Sequence, residues 1–313
     1  MSSEMNNKMH VIFGAGPVGL ALVDELVERE HQVRVVNRSG KAQVSDQVEQ
    51  VAGDASDSDS TINAASGAAV VYQVLNPPYH RWPEEFPGLQ ENVVSAAQVA
   101  GARYVSFENL YMYGDTHGRP IDETTPTEPH TRKGKVRLEM AETLAALSDS
   151  GDLELATARA SSYFGPRATW QSPLGERIIG RVLASKSAQV LGDPDTRHSF
   201  TYLKDLSRVL AILGTDERAV SEIWHVPNAP AQTTNELIAM IGDELGQEIK
   251  VSAAPEPILK LMGLFNPTLR EVNEMLYEFK SDFVADGEKF SKLFGMEATP
   301  LDQAISETVT SWK

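Results

Sequence analysis

Residues 9–40 place an apolar run, three glycines and a helical pattern in succession, and this feature constrains the fold most. The apolar residues 11–13 predict a short buried strand that ends at Gly14. From Pro17 to Arg29, apolar residues recur at helical spacing, and proline suits a first helical turn. Residues 33–36 predict a second strand. A strand, a tight turn, a helix and a second strand form the first unit of a parallel α/β sheet.

The turn Gly14-Ala15-Gly16-Pro17-Val18-Gly19 has the pattern G-x-G-x-x-G between the predicted strand and helix. The first glycine permits the tight turn, the second lets the backbone approach a pyrophosphate, and the third lets helix and strand pack closely. Free N–H groups at the helix start then point at the phosphate. The sequence therefore predicts a dinucleotide site that includes residues 14, 16, 17, 18 and 19; the alternative is a glycine-rich turn without a ligand.

The second strand ends in Asn37-Arg38-Ser39, where an NAD site usually carries Asp or Glu for the ribose 2′-hydroxyl. No carboxylate stands here, and the Arg38 guanidinium could instead pair with a 2′-phosphate. We therefore expect NADP(H) to bind more tightly than NAD(H). The alternative is that Arg38 is a solvated loop residue.

Strand-like and helix-like segments continue to alternate through residue 160, which predicts a Rossmann-type, doubly wound parallel sheet. Further strands are predicted at 48–52, 69–75, 103–107 and 153–159, and helices at 57–65, 86–100 and 133–147. The C-terminal half is less regular. Its predicted helices span 173–184, 204–213, 234–245, 256–264 and 300–312, and its predicted strands span 189–191, 222–226 and 248–251.

These patterns predict a dinucleotide-binding core over residues 1–160, in which residues 1–8 form a flexible tail. Residues 161–313 are expected to complete the core and to form a smaller substrate lobe.

Composition excludes several classes of function. The formal net charge of −16 disfavours nucleic acid and anionic membrane surfaces as partners. The chain has no cysteine, so disulfides, thiol catalysis and cysteine-bound zinc are excluded, and its seven histidines show no metal-binding spacing. No apolar run approaches the length of about 18 residues needed to span a membrane. We expect a cytoplasmic protein without a bound metal.

Five short motifs occur in an order that resembles the extended short-chain dehydrogenase/reductases, the NAD-dependent epimerase/dehydratase group. Residues 107–114 resemble the family segment "SSSxxVYG", residues 159–166 resemble "RxxxxYGP", and residues 199–206 resemble "xFxYVxDxA". The other two are the turn Gly53-Asp54-Ala55 and a closing pattern over residues 286–300. The resemblance implies the same fold, a possible homodimer, and a dinucleotide whose adenine touches Asp54.

The family carries catalysis on a Ser/Thr, a Tyr and a Lys, the last two spaced Y-x-x-x-K. By this resemblance Lys135 stands at the lysine position, Thr131 at the tyrosine position and Asn109 at the Ser/Thr position. Lys135 would hold the nicotinamide ribose, and Asn109 would bond a carbonyl oxygen. A phenol has a pKa of about 10, which a lysine can lower, whereas a threonine alcohol is a far weaker acid. Tyr111 is the first candidate to replace the missing acid; the alternative is that it only packs.

Other positions complete the expected site. Ala55 follows strand three, and Leu75 and Asn76 lie at the end of strand four, at the cofactor edge of the sheet. Tyr79 and Trp82 follow a double proline and could wall a substrate pocket, or could belong to an ordinary surface loop. Arg167 and His198 lie in the expected substrate lobe, where they could bind a sugar-like or anionic substrate or have no such role. Glu271, Glu274 and Glu278 are expected to form a solvated helix face.

Two functions remain open from the sequence. The first is an NADP(H)-binding oxidoreductase or epimerase-like enzyme of the atypical short-chain group, acting on a small carbonyl or sugar-like substrate. The second is a non-catalytic NADP(H)-binding redox sensor, similar to the NmrA-like proteins, and the replacement of the family tyrosine by Thr131 favours it. A scaffold role has little support.

Overall fold

The computed structural model describes residues 8–253 and 267–313. It divides into two compact units, and each unit takes three segments of the chain. Unit 1 consists of Met1–Glu108, Lys135–Arg159 and Leu206–Trp224, and unit 2 consists of Asn109–Gly134, Ala160–Asp205 and His225–Lys313. The units therefore alternate along the chain, and the boundary near residue 160 stays a prediction.

Unit 1 is built on a seven-stranded sheet. Its strands are β1 (Met9–Phe13), β2 (Gln32–Asn37), β3 (Glu49–Ala52), β4 (Ala68–Gln73), β5 (Arg103–Glu108), β6 (Leu155–Arg159) and β11 (Ile223–His225). They lie side by side in the order β11-β6-β5-β4-β1-β2-β3. The five pairings among β1 to β6 are parallel. The helices that connect them are α1 (Pro17–Glu28), α2 (Ser58–Ala64), α3 (Trp82–Ala100), α4 (Arg132–Asp149) and α6 (Leu203–Thr215).

Apolar periodicity explains why these segments pack as they do. The central strand β1 is apolar on both faces, and Val11, Ile12 and Phe13 are buried. Helix α1 buries Val18 and Leu22, which are four residues apart and so lie on one face. These layers confirm the predicted Rossmann-type α/β fold.

The order of the strands reverses at β1. The chain continues from β1 to its neighbour β2, and after β3 it crosses to β4 on the other side of β1. The carboxyl ends of β1 and β4 therefore border a crevice, the position where ligands bind in open α/β sheets.

Unit 2 has strands of only two or three residues and several short helices. Its strands are β7 (Ser162–Phe164), β8 (Ala188–Val190), β9 (Arg197–His198), β10 (Phe200–Tyr202), β12 (Gln232–Thr233) and β13 (Val251–Ala253). Its helices are α5 (Arg181–Leu183), α7 (Thr234–Leu245), α8 (Pro267–Glu274), α9 (Glu288–Phe294) and α10 (Leu301–Thr310). Strands pair as β7–β10, β9–β12 and β8–β13.

Several predicted elements differ from the structure. Helix α3 begins at Trp82 rather than Phe86, so the expected loop over Tyr79–Trp82 is instead one 3-10 turn followed by a helix. The helix predicted over 173–184 is a π-helical segment, Gly175–Gly180, followed by the short α5. The strand predicted over 248–251 begins only at Val251. The helix predicted over 256–264 lies outside the described residues. Among the described residues, no helix combines the length and apolar character needed to cross a membrane.

Candidate dinucleotide site and catalytic positions

The glycine turn lies between the ends of β2 and β4. Gly14 has a φ of 119°, which only glycine adopts readily, and its N–H donates to the Val36 carbonyl at 3.1 Å. A Cβ placed on Gly19 would lie 1.9 Å from the Gly14 carbonyl oxygen. The first and third glycines are therefore required by the turn and by the packing of α1 on β1.

The second glycine has a different environment. Gly16 is the N-cap residue of α1 and has extended backbone, and a Cβ placed there would meet no described atom within 4 Å. Among the described residues, no side chain caps this helix start, and its first turn has no acidic residue. Pro17 has no N–H, and the Leu20 N–H donates to the Gly16 carbonyl at 2.9 Å, so the N–H groups of Val18 and Gly19 are the ones without an acceptor in the helix. The turn therefore has the open space and the free donors that a pyrophosphate requires.

Asn37 and Ser39 shape the loop that follows β2. The Asn37 Oδ1 accepts hydrogen bonds from the Ser39 N–H at 2.9 Å and the Ser39 hydroxyl at 2.8 Å. The Asn37 Nδ2 donates to the Lys41 carbonyl at 2.9 Å. Arg38 lies between them and is exposed. The loop therefore presents a cation at the place where NAD sites present a carboxylate.

Asp54 stands in the turn after β3. Its Oδ1 accepts from the Ser56 N–H at 3.0 Å and the Ser56 hydroxyl at 2.8 Å. These bonds lower the pKa of the Asp54 carboxyl, and the charge of Arg38 lowers it further by a smaller amount. The Ala55 carbonyl accepts from the Asn92 amide of α3 at 2.9 Å. Asp54 is thus an exposed, ionised acceptor in a fixed turn.

The segment after β4 is ordered by Trp82. Its indole N–H donates to the Asn76 Oδ1 at 3.1 Å and the Pro77 carbonyl at 2.9 Å. Trp82 is only 1 % exposed, and the Tyr79 ring packs edge-on against it at 5.0 Å. The structure thus corrects the interpretation of Trp82 as a substrate residue, because its ring is in the interior and supports the loop. Tyr79 is half-buried, and Leu75 packs against the core of unit 1.

In unit 2, the segment with Asn109 and Tyr111 forms a tight turn. The Asn109 Oδ1 accepts from the Tyr111 N–H at 3.2 Å, and residues 111–113 form one 3-10 turn. Tyr111 is half-buried, whereas Tyr113 is buried and its hydroxyl bonds the His225 Nε2 at 2.8 Å. Tyr113 thus has a structural role, and Tyr111 keeps part of its surface accessible.

Thr131 acts as the N-cap of α4. Its Oγ1 accepts from the Gly134 N–H at 3.0 Å, and the side chain is buried. This bond satisfies one of the donors that a helix start leaves free. Lys135 lies in the first turn of the same helix and is exposed. The position of the family tyrosine is therefore occupied by a helix-capping hydroxyl.

A buried charge cluster in unit 2 holds the start of α4. The Lys133 side chain is 0 % exposed, and its Nζ donates to the Glu271 Oε2 at 2.6 Å and to the Glu274 Oε2. Glu271 is 4 % exposed. Burial alone would raise the pKa of the Glu271 carboxyl, but Lys133 and Arg132 outweigh it and lower that pKa. The expectation of a solvated glutamate face is therefore wrong for Glu271, and it is also wrong for Glu278, which is likewise 4 % exposed.

His198 and Glu278 are interior residues of unit 2. The His198 Nδ1 donates to the Glu278 carbonyl at 3.2 Å, and its ring stacks on Phe279 at 4.6 Å. Burial lowers the pKa of the His198 imidazole to about 4 and raises the pKa of the Glu278 carboxyl to about 8. His198 is a neutral core residue 1 % exposed, so the structure does not support substrate contact. Arg167 is exposed, with a φ of 69°.

A second buried charge cluster lies in unit 1, at the carboxyl ends of β5 and β6. The Arg159 Nε donates to the Glu108 Oε2 at 2.9 Å, and an Arg137 Nη2 lies 3.8 Å from the Glu108 Oε1. The Arg137 guanidinium also lies 5.0 Å from the centre of the Phe86 ring. Glu108 falls in the segment that resembles "SSSxxVYG". Because that family motif has serines in this region, the resemblance does not predict a buried carboxylate there. Sequence reasoning therefore missed both clusters.

Comparison with known proteins agrees with this geometry. The sequence profile of the NAD dependent epimerase/dehydratase family matches residues 10–226. A curated relative, the uncharacterised protein y4nL of Sinorhizobium fredii, is 24 % identical over 170 residues, which is 53 % of this chain. The chain spans about half, 47 %, of that relative's length.

Solved structures of three enzymes share the fold. The UDP-N-acetylglucosamine 4-epimerase of Methanobrevibacter ruminantium, solved with UDP-N-acetylmuramic acid, has a TM-score of 0.80 at 18 % identity over 98 % of both chains. The Bordetella bronchiseptica enzyme WbmH, solved with NAD⁺, has a TM-score of 0.76 at 17 % identity over 97 % of this chain and 98 % of that one. The dTDP-glucose 4,6-dehydratase DesIV of Streptomyces venezuelae, solved with NAD, has a TM-score of 0.77 at 16 % identity over 97 % of this chain and 96 % of that one.

At these identities the structural likeness shows only the fold. The profile match covers more than half of the chain and therefore shows the family. No comparison shows a likeness to NmrA-like proteins, and that resemblance stays a prediction. The glycine turn, the strand order and the profile match together show that this chain belongs to the NAD-dependent epimerase/dehydratase family.

Proposed function

We propose that the chain is an NADP(H)-dependent oxidoreductase or epimerase-like enzyme that acts on a small carbonyl or sugar-like substrate. The observation that carries this proposal is the uncapped start of α1, where a Cβ on Gly16 would meet only open space. Backbone donors at a helix start bind a pyrophosphate without any charged side chain. The other residues of the turn that we expect to border the dinucleotide are Gly14, Pro17, Val18 and Gly19.

Sugar nucleotides are the first substrates to test. The epimerase of Methanobrevibacter ruminantium and the dehydratase of Streptomyces venezuelae are named for sugar nucleotides and share the fold over nearly their whole lengths. We propose the same substrate class for this chain. The sequence predicts Tyr79, Arg167 and Tyr111 as the residues that would contact the substrate. A homodimer stays a prediction from the family resemblance.

The dinucleotide would supply a hydride acceptor or donor. Lys135 would hold the nicotinamide ribose hydroxyls. Asn109 uses its Oδ1 within the turn, so its NH₂ group is the donor that would bond a substrate oxygen. Tyr111 would exchange a proton with that oxygen, because the capping bond and the high pKa of an alcohol make Thr131 unsuitable.

The alternative function is a non-catalytic NADP(H)-binding redox sensor. The observation that favours it is the structural use of Thr131, whose hydroxyl oxygen accepts the Gly134 N–H at the position of the family acid. In that case the protein binds the dinucleotide and turns over no substrate.

A turnover screen separates the two functions. The purified chain would be mixed with NADP⁺ or NADPH and a set of UDP-sugars, dTDP-glucose, aldehydes and ketones, and the products would be analysed. We expect turnover in the wild type and a loss of at least about 100-fold in kcat for Tyr111→Phe, because a general acid contributes that much. The Kd for NADPH should stay unchanged in this variant. Tight NADPH binding without any turnover would instead support the sensor.

We expect Arg38→Ala to weaken NADP⁺ binding and leave NAD⁺ binding unchanged. Arg38 is an exposed cation at the tip of the loop after β2, and a 2′-phosphate distinguishes the two dinucleotides. A charge-assisted hydrogen bond contributes about 1.5–3 kcal/mol, so the Kd for NADP⁺ should rise about tenfold or more. Calorimetric titration of both cofactors measures this. Tighter binding of NAD⁺ by the wild type would contradict the expected preference.

A further inference from the structure

Unit 2 contains a cation-lined cavity that opens widely to solvent and lies outside the positions assigned above. The cavity has a volume of about 220 Å³, and its wall includes Arg177, Arg181, Lys186, Gln189 and Glu176. Three cations and one carboxylate leave a net positive lining, although carboxylates outnumber cations 44 to 28 in the whole chain. Such a local reversal of charge indicates an anionic ligand.

The backbone fixes these side chains around the cavity. Arg177 belongs to the π-helical segment Gly175–Gly180, and Arg181 begins the α-helical turn that follows. Ser185 has a φ of 56°, which turns the chain back so that the Ser187 carbonyl accepts from the Arg181 Nε at 2.7 Å. This bond leaves the two Nη groups of Arg181 for a ligand. π-helical segments of this kind occur frequently at functional sites.

The electrostatics of the lining are unfavourable without a ligand. Arg177 is half-buried, and no hydrogen bond or ion pair joins its side chain to another described residue. Burial lowers the pKa of the Arg177 guanidinium. Arg177 and Arg181 stand four residues apart, a spacing at which like charges on a helix repel. The negative charge of a bound anion would offset the cost of burying the Arg177 guanidinium and would reduce the repulsion between the two arginines.

We propose that this cavity binds the phosphate group of a small molecule. Guanidinium groups match phosphate oxygens in a bidentate geometry, and Lys186 adds a further ammonium. The volume is below the range of about 300–1,000 Å³ that is typical of pockets for whole drug-sized ligands, so it suits one phosphate group and little more. The site uses none of the dinucleotide residues and does not depend on the proposed function.

The test is a titration of the chain with inorganic phosphate at low ionic strength, without dinucleotide. The Nε–H signal of Arg177 would be followed by NMR and assigned as the signal missing from Arg177→Gln. We expect that signal to shift on titration with millimolar phosphate. In Arg177→Gln/Arg181→Gln, the phosphate affinity measured by calorimetry should fall at least about tenfold, because two charge-assisted contacts are lost.

The matched control is Arg218→Gln/Lys292→Gln, which removes the same number of charges from exposed ion pairs elsewhere. This variant should bind phosphate as the wild type does. An Arg177 signal that does not move, or an equal loss of affinity in the control, would overturn the proposal. Circular dichroism of each variant checks that the fold is retained.

Discussion

Replacing Gly16 with alanine is expected to weaken dinucleotide binding strongly while the fold stays intact. A Cβ at this position meets no described atom within 4 Å, and the residue has extended backbone that alanine also adopts. The methyl group would instead occupy the space that the pyrophosphate needs beside the N–H groups of α1. If two hydrogen bonds from the N–H groups of α1 to the charged pyrophosphate are lost, the Kd for either pyridine dinucleotide should be at least about 100-fold higher. Calorimetric titration measures this change.

Gly19→Ala is the paired variant and should behave in the opposite way. Its Cβ would lie 1.9 Å from the Gly14 carbonyl oxygen, a backbone atom that cannot move aside without moving β1 or α1. We expect a loss of about 4 kcal/mol or more in the free energy of unfolding, because backbone strain and overpacking act together. Urea unfolding of both variants tests the contrast. If Gly16→Ala binds the cofactor normally and Gly19→Ala is as stable as the wild type, the proposed site is wrong.

The sequence predicts this part of the molecule well because its signals are local. A strand, three glycines and a proline-started helix lie within a few residues of each other, and each requires a particular backbone geometry. The same holds for most strands of unit 1, whose apolar runs are buried on both faces whatever their neighbours. The start of α3 at Trp82 is predicted less well, since the double proline favours a loop where a helix begins.

The sequence predicts the charged interior poorly, because the partners are far apart in the chain. Lys133 and Glu271 are separated by 138 positions, and nothing near either residue distinguishes a buried pair from a solvated one. The same limit applies to His198, which the sequence allows as a substrate residue, because its burial by Phe279 and Phe283 depends on long-range packing. Local patterns therefore identify the glycine turn, and only the tertiary structure identifies the groups that hold α4.

Lys133→Met is expected to destabilise the chain by about 3–5 kcal/mol at neutral pH, because it leaves the buried Glu271 carboxylate without its ammonium partner. The matched control is Lys204→Met, which breaks the exposed pair with Glu307 and should cost only about 0–1 kcal/mol. The double variant Lys133→Met/Glu271→Gln should recover part of the loss, since it also removes the buried charge. Urea unfolding of all three variants measures the differences.

The stabilisation by the Lys133–Glu271 pair should depend on pH in a defined direction. The folded-state pKa of Glu271 lies below its ordinary value of 4.5, so the stabilisation by Lys133 is present above that value and is lost as the pH falls through the folded-state pKa. In Lys133→Met the carboxyl would be protonated more easily, because burial then acts without the opposing cation. The gap in stability between wild type and variant should therefore begin to narrow above pH 4.5, where only the variant's carboxyl takes up a proton. It should go on narrowing as the pH falls through the folded-state pKa of Glu271 in the wild type. A gap that stays constant with pH, or a variant as stable as Lys204→Met, would show that this buried pair does not stabilise the start of α4.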